Sequence, residues 1–217
     1  MISELVKRII SSIFLLPLIF FFIIKGSYLF NIFLILTLII AVYEWHRMTK
    51  NKSYNILGFF FLLLSFLSVY KLRNNIDNNY YSLLMITLIC ILTDIGGYVF
   101  GKLFKGPKLS SYSPNKTYAG AIGGLFLSIC SIPFFLSYNM INNQTVIAAI
   151  IFIFIISIIS QIGDIIISYF KRNSKIKDTG NIIPGHGGLL DRIDGMIFAF
   201  PISYILLSIS FFENALK

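Results

Sequence analysis

Seven apolar runs dominate this sequence and leave few options for its fold. They lie at about 9–24, 27–45, 54–70, 80–100, 118–138, 145–170 and 195–212. A helix needs about 20 apolar residues to cross the hydrocarbon core of a bilayer. A soluble chain of 217 residues has too little interior to hide so many runs, and only 12% of its residues are charged, against about a quarter in soluble domains. The expected fold is therefore all-α: a polytopic transmembrane helix bundle of about seven membrane helices. The first run is short and contains Pro17, which predicts a tilted, kinked or partly inserted helix. The sixth is long enough for its last turn to project from the membrane. No internal repeat is visible, so residues 1–217 read as a single integral membrane domain. Nothing at the N-terminus reads as a cleaved signal. Cys90 and Cys130 lie inside apolar runs and read as small buried residues, not as a disulfide or a metal set.

The loops give an orientation. With the N-terminus inside, the inner segments are 1–8, 46–53, 101–117 and 171–194, and they carry 14 of the 18 Lys and Arg residues. The outer segments carry Lys25, Lys71, Arg73 and Lys217. That asymmetry follows the positive-inside rule. It places two long loops, 101–117 and 171–194, together on the cytoplasmic face. The net charge of +9 is thereby explained by topology, and no nucleic-acid partner is expected.

The acids are more informative than the bases. Asp94 and Asp164 sit inside apolar runs, where a carboxylate costs about 2.5–3.5 kcal/mol on insertion scales and is usually functional. The alternative for each is a structural ion pair or a place near water at a helix end. Asp164 and Ser168 are four residues apart and share a helix face; Lys171 continues that face. Asp191 and Asp194 are three apart at the start of the last run and share a face there. Two carboxylates on one helix and a third on its neighbour suit Mg²⁺, a hard cation that takes oxygen ligands. Between the acids lie Lys171, Arg172, Lys175, Lys177 and Asp178, then Gly185, His186, Gly187 and Gly188. Bases can hold phosphate oxygens, and glycines let backbone N–H groups approach an anion. Bases, glycines and acids together within 164–194 are what phosphoryl or nucleotidyl transfer requires. His186 is open between phosphate ligand, acid/base group and turn residue. Asn115, Lys116 and Thr117 precede an apolar run. They fit either an anion site at a helix start or a positive loop with an ordinary cap.

The pattern Ser168-x2-Lys171-Arg172-x4-Lys177-Asp178-x-Gly180-x3-Pro184-Gly185-His186-Gly187-Gly188-x2-Asp191-Arg192-x-Asp194 resembles the signature of the phosphatidate cytidylyltransferases. Asp94, Gly97, Tyr98, Gly101, Lys102 and Phe104 resemble that family's first cytoplasmic loop, as do Ser113 to Thr117 and Gly120. The motif-bearing part is 94–195. The helices of 1–80 match in hydrophobicity and in the Glu44-Trp45 pair, and are expected to be structural or dimer-forming. Ala119 stands where members often carry Glu, Lys102 where they carry Arg and Gly97 where they carry Ala. The chain is also short for the family, as if a helix pair were missing near its N-terminus.

The resemblance implies a bacterial inner-membrane enzyme that makes CDP-diacylglycerol and pyrophosphate from CTP and phosphatidic acid. It also implies a homodimer. Mg²⁺ is implied at Asp164, Asp191 and Asp194, with a second, monovalent cation such as K⁺. Asp164, Ser168, Lys171, Asp191 and Asp194 are then the expected catalytic positions. Asn115, Lys116, Thr117, Arg172, Lys177, Asp178, His186, Gly187, Gly188 and Arg192 are the expected substrate-binding ones. A CTP-dependent polyprenol or phytol kinase relative is the alternative enzyme. A cation or proton transporter using Asp94 and Asp164 is the alternative outside enzymes, though a transporter has no need of the phosphate-binding residues.

Overall fold

A computed structural model describes the chain apart from residues 1–3, 51, 75–79, 142–144, 184, 186, 210–211 and 213–217, and apart from the side chains of 4–12. Among the described residues the architecture is helical throughout. The helices in order are α1 (Glu4–Lys25), α2 (Ser27–Thr49), α3 (Asn55–Asn74), α4 (Tyr81–Phe104), α5 (Tyr118–Ile129), α6 (Ile132–Ser137), α7 (Val146–Asn173), α8 (Leu190–Ile193) and α9 (Met196–Leu207). Extended pairing is limited to two isolated bridges, Lys108 with Thr117 and Ile183 with Gly187.

Five segments among the described residues are long and apolar enough to cross a membrane: α2, α3, α4, the α5–α6 pair and α7. The last of the seven expected runs falls short of that length, its apolar helix spanning Met196–Leu207; in the first, the described side chains form an apolar stretch over Ile13–Lys25 within the longer α1. At 1.5 Å per residue, α9 covers roughly 18 Å of a core about 30 Å thick. α1 continues through Pro17. The fifth run divides at Cys130–Ser131 into α5 and α6. Pro133 lies in the first turn of α6, where its missing N–H leaves no gap in the ladder. α7 is about 42 Å long by the same rise, so its last turns, with Lys171 and Arg172, extend beyond the apolar core.

Small residues bring α4 and α5 together. A Cβ on Gly96 would stand 2.6 Å from the Gly123 carbonyl oxygen, and one on Gly120 would stand 2.6 Å from that of Gly97. No side chain fits there, and backbone contact of this kind is how membrane helices pack without a hydrophobic drive between them. Gly195 lies equally close to α7, 2.6 Å from the Ser160 carbonyl by the same construction, and that contact seats the start of α9. A buried cluster of Ala41, Trp45, Met48, Leu62, Phe66, Ile167, Leu190 and Ile197 ties α2, α3, α7, α8 and α9 together beneath the polar residues described next.

Candidate active site

The polar residues gather where the C-terminal ends of α2, α4 and α7 meet the N-terminal ends of α3, α5 and α9. Local bonds close this end. Asn173 Nδ2 donates to Tyr54 Oη at 2.9 Å. Arg172 Nε donates to the Tyr112 carbonyl at 3.3 Å, and its Nη1 to the Ile176 carbonyl at 3.2 Å. Arg172 thus links the segment before α5 to the segment after α7.

Asp164 on α7 forms an ion pair with Lys116. Ser168, one turn on, donates from Oγ to Asp164 Oδ1 at 3.3 Å. That ion pair ties the loop before α5 to α7. Its partners stay partly open, at 27% and 21% side-chain exposure. Thr117 caps α5: its hydroxyl accepts from the Gly120 N–H at 3.1 Å, as N-cap residues do. The ordinary-cap reading therefore holds for Thr117, while Lys116 faces the acids and Asn115 is exposed.

A second centre forms around Asp191. Lys171 Nζ donates to Asp191 Oδ1 at 2.8 Å, a pair only 11% and 3% exposed. Asp191 Oδ2 accepts from the Thr179 N–H at 2.8 Å and the Gly188 N–H at 2.9 Å, and lies 3.0 Å from the Thr179 hydroxyl oxygen. Burial alone would raise this carboxyl. The bond and charge of Lys171, with the Gly188 and Thr179 N–H groups, outweigh it and hold Asp191 below the ordinary value. The Gly188 N–H, expected to approach a phosphate, is thus given to Asp191. Gly187 turns the loop with φ +84, and a Cβ there would stand 2.8 Å from Asp191 Oδ2; only glycine meets both demands.

Asp194 behaves oppositely. It is buried, and its Oδ1 accepts from the Gly195 N–H at 2.9 Å. Burial first, then the charges of Asp164 and Asp94, push its carboxyl well above the ordinary value. Asp164 and Asp194 stand within electrostatic reach of each other and of Asp94, whereas Asp191 is bound to Lys171. Among the described residues no three His, Cys, Asp or Glu side chains form a closed metal cage. Mg²⁺ commonly takes one or two carboxylates and completes its shell with phosphate oxygens and water. Asp164 and Asp194 fit that pattern, and Asp191 keeps one acceptor direction, on Oδ1.

Lys177, Asp178 and Arg192 are exposed around this centre. His186 and Pro184 lie outside the described residues. A cavity of about 630 Å³ opens between α2, α3, α7 and α9, but its walls are apolar residues such as Trp45, Phe61, Phe170 and Phe198, so it offers no group for phosphate chemistry.

Glu44, which the sequence singled out only as half of the Glu44-Trp45 pair, belongs to the same centre. It lies in α2 and is 1% exposed. Its Oε1 accepts from the Leu189 N–H at 2.9 Å, and its Oε2 from the Leu190 N–H at 2.8 Å and the Thr179 hydroxyl at 2.9 Å. The available signal was a carboxylate within an otherwise apolar run.

Comparison with known proteins places these residues in context. A model of the Cytidylyltransferase family matches residues 6–73 and 53–210. A phosphatidate cytidylyltransferase of Rickettsia bellii is 36% identical over 219 residues, 94% of this chain and 91% of that protein. One from Staphylococcus aureus (strain COL) is 46% identical over 121 residues, 55% of this chain and 46% of its own length. One from Staphylococcus haemolyticus is 40% identical over 145 residues, 66% of this chain and 54% of its own. The chain therefore spans about half the length of these staphylococcal relatives, and nearly all of the rickettsial one.

Proposed function

The chain belongs to the cytidylyltransferase family, and from that membership we propose that it is a phosphatidate cytidylyltransferase. It transfers CMP from CTP to phosphatidic acid, giving CDP-diacylglycerol and pyrophosphate. The observation that supports this most is the meeting of two distant loops at one end of apolar helices, with Lys116 on Asp164 and Lys171 on Asp191. Such a place can receive a water-borne nucleotide and a membrane-borne phosphate together.

In this reading a lipid phosphate oxygen attacks the α-phosphorus of CTP, and pyrophosphate leaves. A phosphate monoester is largely ionised at neutral pH, since its second pKa is about 6, so little general-base chemistry is needed. Repulsion between two anions is the main obstacle, and positioning and charge stabilisation dominate. Mg²⁺, held by Asp164 and Asp194, would supply charge neutralisation between the phosphates. Lys116 exchanges Asp164 for a triphosphate oxygen. Lys171, steadied by Asp191, meets pyrophosphate or the lipid head group, with Arg172 and Lys177 at the rim. Ser168 orients a phosphate or the Asp164 carboxylate. The bundle lies in the inner membrane as a homodimer, with this end in the cytoplasm. The distribution of basic residues supports that orientation.

The test is purified protein supplied with CTP, phosphatidic acid and Mg²⁺. CDP-diacylglycerol and pyrophosphate should appear one for one and cease on chelation. No liponucleotide from folded protein would remove the proposal.

A further inference from the structure

Glu44 is a buried acid without a basic partner: both ion pairs among the described residues lie elsewhere. Three neutral donors compensate it instead, the Leu189 and Leu190 N–H groups and the Thr179 hydroxyl. A buried carboxylate is costly to keep unless its hydrogen bonds are well made. Two glycines are shaped to this one. A Cβ on Gly180 would stand 2.6 Å from Glu44 Oε1, and one on Gly188 would stand 2.5 Å from Oε2 and 2.6 Å from Oε1. The strand of loop at Thr179–Gly180 and the one at Gly188–Leu190 are thus gathered onto one side chain of α2.

The same two strands are gathered from the other side by Asp191. The Thr179 hydroxyl stands between the two carboxylates, 2.9 Å from Glu44 Oε2 and 3.0 Å from Asp191 Oδ2. Asp191 then holds Lys171 through its other oxygen at 2.8 Å. A continuous chain of contacts runs from Glu44 through Thr179 and Asp191 to the Lys171 ammonium.

We propose that Glu44 is a positioning residue for the transfer reaction: it fixes the stretches 179–180 and 188–190 so that Asp191 presents Lys171 to a substrate phosphate. The proposal rests on the transferase reading of Lys171 and Asp191. It assigns the second helix a part in the chemistry besides packing. Glu44 touches neither substrate and acts through Thr179. Glu44→Gln keeps the size but replaces one acceptor oxygen with a donor that faces other donors.

The experiment is steady-state kinetics of the purified full chain with CTP and phosphatidic acid, with thermal unfolding measured on each variant. Glu44→Gln should lower kcat about 10- to 100-fold, the worth of a bond to a charged group, while the folded fraction stays near that of the parent. Thr179→Val should lose a similar factor, and Thr179→Ser, which keeps the hydroxyl, should stay within about threefold. Residues acting through one network are non-additive, so Glu44→Gln with Thr179→Val should lose little more than the worse single change. The Thr179 pair leaves Glu44 in place and decides the matter even where Glu44→Gln does not fold. Unchanged kcat per folded Glu44→Gln molecule, equal losses for Thr179→Ser and Thr179→Val, or multiplying losses in the double variant would each overturn the proposal. Absence of liponucleotide from the parent itself would instead remove the transferase reading beneath it.

Discussion

Single residues here divide into those that hold charge for a substrate and those that hold other residues. Asp191 belongs largely to the second group, because the Lys171 ammonium and the Thr179 and Gly188 N–H groups already occupy its two oxygens. Its spacing from Asp194 was legible in sequence, but its partners were not. Thr179 and Gly188 reach it through a turn whose course depends on Gly187 and on Glu44, which is 135 residues from Thr179 in sequence. Asp191→Asn should lower kcat by at least about 100-fold, since Lys171 loses its counter-charge at the point where charge stabilisation matters. The same variant should change acid sensitivity. The folded carboxyl lies below its ordinary value of 3.8. Its ionised form therefore stabilises the fold fully above that value, and the stabilisation is lost as pH falls through the lower folded value. Unfolding temperature between about pH 5 and 2 should fall less steeply in Asp191→Asn than in the parent, and parallel curves would contradict the assignment.

Among the elements, the long apolar helices were readable from composition alone, because a run of about 20 apolar residues has few alternatives. Their interruptions were harder to place. The break between α5 and α6 sits at Cys130–Ser131 inside an unbroken apolar run, and the Pro133 that accompanies it also occurs inside intact helices, as Pro17 does in α1. The close approach of Gly195 to Ser160, at the junction between α8 and α9, is a tertiary contact that local spacing does not encode. The α4–α5 contact carries the most direct consequence for the site, since Lys116 immediately precedes α5. Gly120→Leu would drive a side chain into the Gly97 carbonyl, and overpacking of this kind costs about 1–3 kcal/mol. The variant should unfold at lower temperature and show a raised KM for CTP. Ile122→Leu, on the exposed side of α5, should change neither. Equal effects from both would contradict the close-packed arrangement.

At the scale of the whole molecule, the distribution of basic residues argues for the proposed orientation and the ion pairs for the proposed site. Large apolar side chains such as Leu57, Phe60, Ile122 and Ile147 are exposed along the bundle, as lipid-facing residues are. The polar network is confined to one end. A thiol-reactive, membrane-impermeant label distinguishes the two ends in bacterial cells once Cys90 and Cys130 are replaced by Ala. Tyr28→Cys, exposed in the first turn of α2, should react in intact spheroplasts. Lys108→Cys should react only after the membrane is opened, and the reverse order would place the site outside. The central claim is sharper than orientation: this end of the bundle moves the α-phosphorus of CTP onto a lipid phosphate. The direct measurement is a pair of parallel reactions with phosphatidic acid, one using CTP labelled at the α-phosphate and the other at the γ-phosphate. Label from the α position should enter the lipid and γ label should leave as pyrophosphate. Lipid labelled from the γ position, as a CTP-dependent lipid kinase would give, would contradict the account.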